Sequence, residues 1–513
     1  MKRVKLQEKH SMDRIKRKII ICVAFCFIVG TLIAYGGKPA LLTQKMLDQA
    51  KGTFVVQKEY SAAGAVLYLP KQLKLIFDGG KIDNAELVGN YTKIQVNSQT
   101  PIFGKDIRIL GLWDIEDAYD GWFEYEYGKD FLSNRLIQNM LSFSNDATFC
   151  HLHFEERDRV YYFEHPYKGD AMLGAMFTYH MEDGKKKIHY REIYDDNYAF
   201  LRVFTIPSNT KITLNNTWQM LPTNLGAYFV FWEYGKENVI IEGEGTIAGD
   251  NKEHLYTVPF SGKKSKYYGE WGFLFRCFKC KNFVFRGITL RDAFGDCLIY
   301  QGSHLDNDSG PRFADGLVME NVKIIGARRN GVALGARNVV IRNCHFEGCG
   351  TEAAKGTRPR AAIDFEPDGV REYPEIGNEN VLMENCTFVD NWRDMATHFN
   401  NWKDYGQIAT TIKDCIFTDT VKLGHSYWMR FENCYFPFLY NSEDPQSRLM
   451  HSQYMEFVNC EFGQWDGRIP ATRTVAQNSY INCRFNTGKR EPDNEISNPD
   501  NKKVIKVGKP KNN

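Results

Sequence analysis

One short phrase returns six times in the carboxyl half of the chain. It reads Asn343-Cys344-His345-Phe346, Asn385-Cys386-Thr387-Phe388, Asp414-Cys415-Ile416-Phe417, Asn433-Cys434-Tyr435-Phe436, Asn459-Cys460-Glu461-Phe462 and Asn482-Cys483-Arg484-Phe485. Two degenerate copies precede it, Asn282-Phe283-Val284-Phe285 and Asn321-Val322-Lys323-Ile324. Successive Cys-bearing copies lie 19 to 42 residues apart, the self-similarity of a solenoid. Around each copy the apolar residues alternate with period two, as Val339 and Ile341 do before the turn and Cys344 and Phe346 after it; this is strand behaviour. A unit that small cannot bury its own apolar face, so it must stack on the next. Asn and Cys then recur because each occupies the same bend above its counterpart, and a buried free Cys packs as a small hydrophobe.

The repeat overrides the prior from length, by which 513 residues would make three or four domains of ~150 residues. Of the 13 Cys, Cys22 and Cys26 fall in an amino-terminal apolar run and six fall in the repeat, which argues for packing over disulfides. Cys277 and Cys280 have the spacing of half a zinc site, but no second pair or His partner follows, so no metal is expected there. The net charge of +2 conceals an uneven distribution: residues 1–18 carry eight Lys/Arg against two acids, and the stretch from Lys489 carries seven against four. The body between them is net acidic, without the basic footprint of a nucleic-acid binder. Ile19 to Tyr35 is uncharged and apolar directly behind Arg14-Ile15-Lys16-Arg17-Lys18, the layout of a secretory signal or an amino-terminal membrane anchor. Cleavage after Gly36 and a start at either Met1 or Met12 are both compatible with it. The expected location is therefore outside the cytoplasm (periplasmic, cell-surface or secreted), with membrane contact only through this segment.

Three further stretches add to the repeat. One runs from Leu73 through Asp78-Gly79-Gly80 to Ile94, and another is Asn238-Val239-Ile240-Ile241-Glu242-Gly243-Glu244-Gly245. The third gives, in order, Arg328-Arg329-Asn330-Gly331, Asn343-Cys344, Gly356-Thr357-Arg358-Pro359 and Ile363-Asp364-Phe365-Glu366-Pro367. Together these resemble exported bacterial members of the pectin-lyase-like superfamily, with a distant similarity to polygalacturonase-type glycosidases. The resemblance covers roughly residues 53–115 and 200–488. It implies an all-β fold, a single right-handed parallel β-helix with an amino-terminal cap and a helix-containing insertion. The organisation expected is a signal or anchor over 1–36, a strand-rich cap over 37–115, an insertion over 116–200, the β-helix over 201–488 and a polar tail over 489–513. Within the insertion, Asn134 to Leu141 reads as a short helix.

Candidate chemistry follows from coil arithmetic. Ile363 and Phe365 are apolar and point inward, which turns Asp364 and Glu366 outward on one face. Their backbones lie roughly 6.5–7 Å apart, a separation that the two carboxylates of an inverting glycosidase could use. Neighbouring coils bring Asp292, Asp296, Arg329, Trp392, Arg393 and His398 towards the same groove. Asp292, Asp296, Asp364 and Glu366 are the candidate acids and bases. Arg329 could bind a uronate carboxylate in bidentate fashion, with His398, Trp392 and Arg393 as further sugar contacts and Trp402 as a stacking platform. Equally, Asp364 or Glu366 could form a structural ion pair with Arg328 or Arg329 across one coil. The polygalacturonase motifs Asn-Thr-Asp, Asp-Asp, Gly-His-Gly and Arg-x-Lys are missing at their places, so the resemblance does not extend to that activity. His304, Asp306 and Asp308 offer oxygen-rich ligands for Ca²⁺ in what is ordinarily a solvated loop; otherwise no cofactor is expected. The expected partner is a polysaccharide or oligosaccharide. Hydrolysis of a glycosidic bond is the first reading, a lyase on a uronic-acid polymer the second, and a non-catalytic binding solenoid the third.

Overall fold

The computed structural model describes residues 38–98, 101–126, 128–166, 177–182, 185–190, 201–225, 227–255, 271–303, 311–351, 359–367, 373–398, 400–424, 426–441, 452, 454–464 and 479–485. The signal or anchor, the Ca²⁺ candidates Asp306 and Asp308, and the polar tail lie outside the described residues. Among the described residues no helix is long and apolar enough to cross a membrane.

The chain is a right-handed parallel β-helix. Strand Glu237–Glu242 pairs in parallel with Lys281–Arg286, that with Ala314–Glu320, and so on to Ser479–Ile481. The register keeps like positions stacked: Val239, Phe283, Leu317, Val339 and Val381 form one inward column, all of them buried. A second face runs from Ala227–Tyr234 through Trp271–Phe278, Leu298–Gln301 and Val332–Arg342 to Ile363–Phe365, Met395–His398 and Thr420–Gly424. A third is built from three-residue strands such as Thr289–Arg291, Lys323–Ile325, His345–Glu347 and Thr387–Val389.

The bends explain the repeat. Asn321, Asn343, Asn385, Asp414, Asn433, Asn459 and Asn482 all have φ between 52° and 56°, the left-handed region that Asn and Asp tolerate best among residues with a side chain. Asn482 Nδ2 donates to Asn459 Oδ1 at 2.7 Å, Asn459 to Asn433 at 3.2 Å and Asn433 to Asp414 at 2.8 Å. The same column continues upward as Gly287 and Gly243. Gly287 must be glycine, because a Cβ there would meet the Gly243 carbonyl oxygen at 2.4 Å. Asn282, expected as a copy of this bend, belongs to a different column: it donates to Asn238 at 3.0 Å, at the start of its strand and not after it. The eleven described Cys are free and buried. The six of the repeat each point Sγ at the carbonyl two residues back, at 3.3–3.5 Å.

The segment 116–200 departs from the expected insertion. Asp117–Tyr119 and Cys150–Phe154 pair in parallel with each other and with Thr210–Leu214, and Val160–Phe163 pairs with Thr217–Met220. The solenoid therefore starts near residue 117, well before 201. The cause is visible in Cys150-His151-Leu152-His153-Phe154, whose odd members point inward and whose histidines point out. A helix does span Asn134–Leu141. Its Asn139 side chain accepts from Ile109 N at 2.9 Å and donates to Ile107 O at 3.1 Å, sealing the last strand of the parallel sheet formed by residues 40–113.

Candidate functional site

The second face carries the acids. Outward positions in register are Arg276, Ile299, Ala333, Asp364, Ala396 and Lys422. Outward is not exposed here. A second apolar layer of Leu201, Phe229, Trp232, Phe273, Phe278, Ile299 and Ala333 covers the upper part of this face. Arg276 is buried in it, with its guanidinium 4.2 Å from the Phe278 ring centre.

Asp296, Arg329, Asp364 and Glu366 do come together. Arg329 Nη1 donates to Asp296 Oδ2 at 2.6 Å, and its Nη2 lies 3.9 Å from Glu366 Oε2. Asp296 also accepts from Asn330 N at 2.9 Å and from Asn330 Nδ2 at 3.4 Å. Asn330 Nδ2 further lies 3.5 Å from Asp364 Oδ2. Burial lifts the Asp296 carboxyl above its ordinary range, while Arg329 and Asn330 pull it back. Asn330 is thus a link between the two aspartates. Its only sequence signal was its place in Arg328-Arg329-Asn330-Gly331.

Asp364, expected outward in the groove, is fully buried; Glu366, two residues on, has a side chain 37% exposed. Burial, reinforced by Glu366, pushes the Asp364 carboxyl well above the usual carboxylate range, against the pull of Arg329. Among the described residues no donor reaches Asp364 Oδ1. Two ionised carboxylates hold only acceptors, and a proton on Asp364 would supply a donor. This corrects the expectation of two outward carboxylates in one open groove: Asp364 is buried and Glu366 alone of the two reaches solvent. The sign for stability follows. With its native pKa raised above the unfolded value of about 3.9, Asp364 contributes stability fully present below that value and lost as pH rises through the native pKa.

The other candidates are placed as follows. Arg328 points elsewhere, donating from Nε to Phe294 O at 2.6 Å. Asp292 lines a separate groove of about 230 Å³ with Lys252, Asp250 and Arg291, and Arg291 Nε donates to its Oδ2 at 2.6 Å. The expected union of Asp292 with Asp296 therefore does not occur, because the buried Ala293 and Phe294 turn inward between them. His398 is exposed and follows Thr397, the register partner of Phe365 on the adjacent coil. Trp392 is 43% exposed, with the Arg360 guanidinium 3.8 Å from its ring centre. Arg393 donates to Pro359 O at the bend before Asp364. Trp402 is 37% exposed.

No known family model matches the chain. It is 25% identical over 226 residues to the SPbeta prophage-derived uncharacterized protein YorA of Bacillus subtilis (strain 168), a match that spans 43% of this chain and about a third (36%) of that protein. Among solved structures it is similar to the tailspike protein of E. coli bacteriophage HK620 in complex with a pentasaccharide, at TM-score 0.42 and 10% identity, covering 72% of this chain and 62% of that one. It is also similar to the surface protein and adhesin PfbA of Streptococcus pneumoniae, at TM-score 0.32 and 10% identity over 89% and 96% of the two chains. A third likeness is to the family 28 exopolygalacturonase of Yersinia enterocolitica, at TM-score 0.27 and 11% identity over 88% and 72%.

Proposed function

We propose that the protein acts on a polysaccharide and cleaves a glycosidic bond at the Asp364–Glu366 pair. The observation that carries this reading is the fully buried Asp364 two residues before a solvent-reaching Glu366 that faces Arg329. In this reading Glu366, the member reaching solvent, serves as the base, with Arg329 Nη2 3.9 Å from its Oε2. Glu366 then takes a proton from the attacking water. His398, on the adjacent coil, supplies the proton to the departing sugar oxygen, and Trp392 and Trp402 offer ring faces for sugar stacking. Asp296, with Arg329 and Asn330 donating to it, is a positioning residue that holds Arg329 in place. Export from the cytoplasm through residues 1–36 belongs to the same proposal.

A second reading is favoured by one observation, the complete burial of Asp364 and Asp296. In it the cluster only pins the coils together and the face binds polysaccharide without cutting it. A panel of neutral and uronic-acid polysaccharides separates the two, with products followed as new reducing ends and as absorbance of unsaturated uronate. Hydrolysis predicts reducing ends without uronate absorbance, and a drop in kcat of about 10²–10⁴-fold in Glu366→Gln. Equal turnover by wild type and Glu366→Gln would remove the pair from the chemistry. Unsaturated product would move the reaction to the lyase class.

A further inference from the structure

A second cluster, far from the carboxyl pair in sequence, has the chemistry of a metal site. We propose that Asp117, His151 and His153 bind a divalent transition-metal ion of the zinc class on the first coils of the solenoid. His151 and His153 stand at i and i+2 on the strand Cys150–Phe154, so both project outward while Cys150, Leu152 and Phe154 fill the core. Asp117 is the register partner of His151 on the neighbouring strand. Its Oδ1 lies 3.5 Å from His151 Nδ1 and 2.7 Å from His153 Nε2, and one ligand atom from each of the three residues falls within 4.8 Å of the others. The two imidazole rings are 3.7 Å apart at their centres.

What distinguishes this cluster from a surface ion pair is what holds the other nitrogens. His151 Nε2 is 2.8 Å from Thr213 Oγ1, and His153 Nδ1 is 3.1 Å from Glu155 Oε1. Each ring is thus oriented by an oxygen on its far side with one nitrogen turned towards Asp117, the outer-shell arrangement of metal-ligating histidines. Tyr119 stacks on His153 at 4.5 Å and fixes its plane.

Two imidazole nitrogens and one carboxylate oxygen suit Zn²⁺, Co²⁺, Ni²⁺ or Cu²⁺ over Ca²⁺ or Mg²⁺, which prefer all-oxygen shells. Three protein ligands leave a fourth position for water. The ion would replace the proton between His153 and Asp117 and widen their contact to roughly 3.3 Å, the ligand separation of a tetrahedral site with 2.0–2.1 Å bonds. It would also clasp Asp117 to the strand Cys150–Phe154 across the helical stretch between them, at the first coil of the solenoid.

The test uses the full chain free of any affinity tag. Titration calorimetry with ZnCl₂ should show one ion per chain and a higher melting temperature in the loaded protein. His153→Ala should lose both effects while keeping the metal-free melting temperature. Glu155→Gln, which leaves every ligand in place, should weaken Zn²⁺ about 10-fold or more. Should His153→Ala fail to fold, the Glu155→Gln affinity alone decides. Zn²⁺ uptake that is equal in wild type and the variants, or no uptake at all, overturns the proposal.

Discussion

Phe417→Ala is expected to destabilise the protein by about 3–5 kcal/mol, the cost of deleting a fully buried ring that its neighbours cannot collapse onto. Phe417 is completely buried between Phe388, whose ring centre is 4.9 Å away, and Phe436, at 5.2 Å. The column extends to Phe346 on one side and Phe462 on the other, each stacked on its neighbour at 5.1 Å. Each coil touches only the coils beside it, so the damage stays local. Urea unfolding should give the loss in free energy. Amide hydrogen exchange should show it first between Phe388 and Phe436, with the coils around Val239 and Phe283 still protected. Uniform loss of protection along the chain would mean that the coils unfold as one unit.

Arg329→Met is expected to cost a similar amount, about 3–5 kcal/mol, by leaving Asp296 buried without its cation. The double variant Arg329→Met/Asp296→Asn should recover most of that loss. Asn keeps an acceptor for Asn330 N, which now donates to Asp296 at 2.9 Å, and removes the charge. The comparison distinguishes a structural pair from an arginine kept free for substrate. If Arg329→Met unfolds at the wild-type urea midpoint, the 2.6 Å contact to Asp296 does not persist in solution and Arg329 returns to the set of sugar ligands.

The solenoid was legible because its bend demands a left-handed residue, and Asn, or Asp at 414, supplies one at each of the bends from Asn321 to Asn482. The early coils were harder to read: Gly243 and Gly287 fill the same bend without leaving the Asn signature, and Asn282 serves another bend. The first coils were hidden for a different reason. Cys150-His151-Leu152-His153-Phe154 alternates cleanly, but it sits in a stretch rich in Tyr, Glu and Asp that reads as loop. At the candidate site, counting coils was enough to bring Asp296, Arg329, Asp364 and Glu366 together. It could not show that an outward side chain would be buried. That depends on what packs around it in three dimensions: Asp364 lies in register between the buried Ala333 and Ala396, with the buried Asn330 3.5 Å from its Oδ2. Nor could it separate Asp292 from Asp296, since the inward turn of Ala293 and Phe294 is a property of the packed bend. Outward ladders such as Glu242, Arg286 and Glu320, with Arg286 3.1 Å and 3.0 Å from the two acids, were likewise invisible until the register was known.

The central claim is that Asp364 carries a proton at neutral pH and shares it with Glu366. Infrared difference spectroscopy of wild type against Asp364→Asn at pH 7 measures this directly. The difference is needed because burial also pushes other carboxyls up, Glu233 well above the usual range, and any band they give cancels between the two spectra. The predicted result is the loss of one carboxylic-acid C=O band in the variant, with the carboxylate bands unchanged. Loss of a carboxylate band instead would show Asp364 ionised in the native protein, and the shared proton, with the chemistry built on it, would be contradicted.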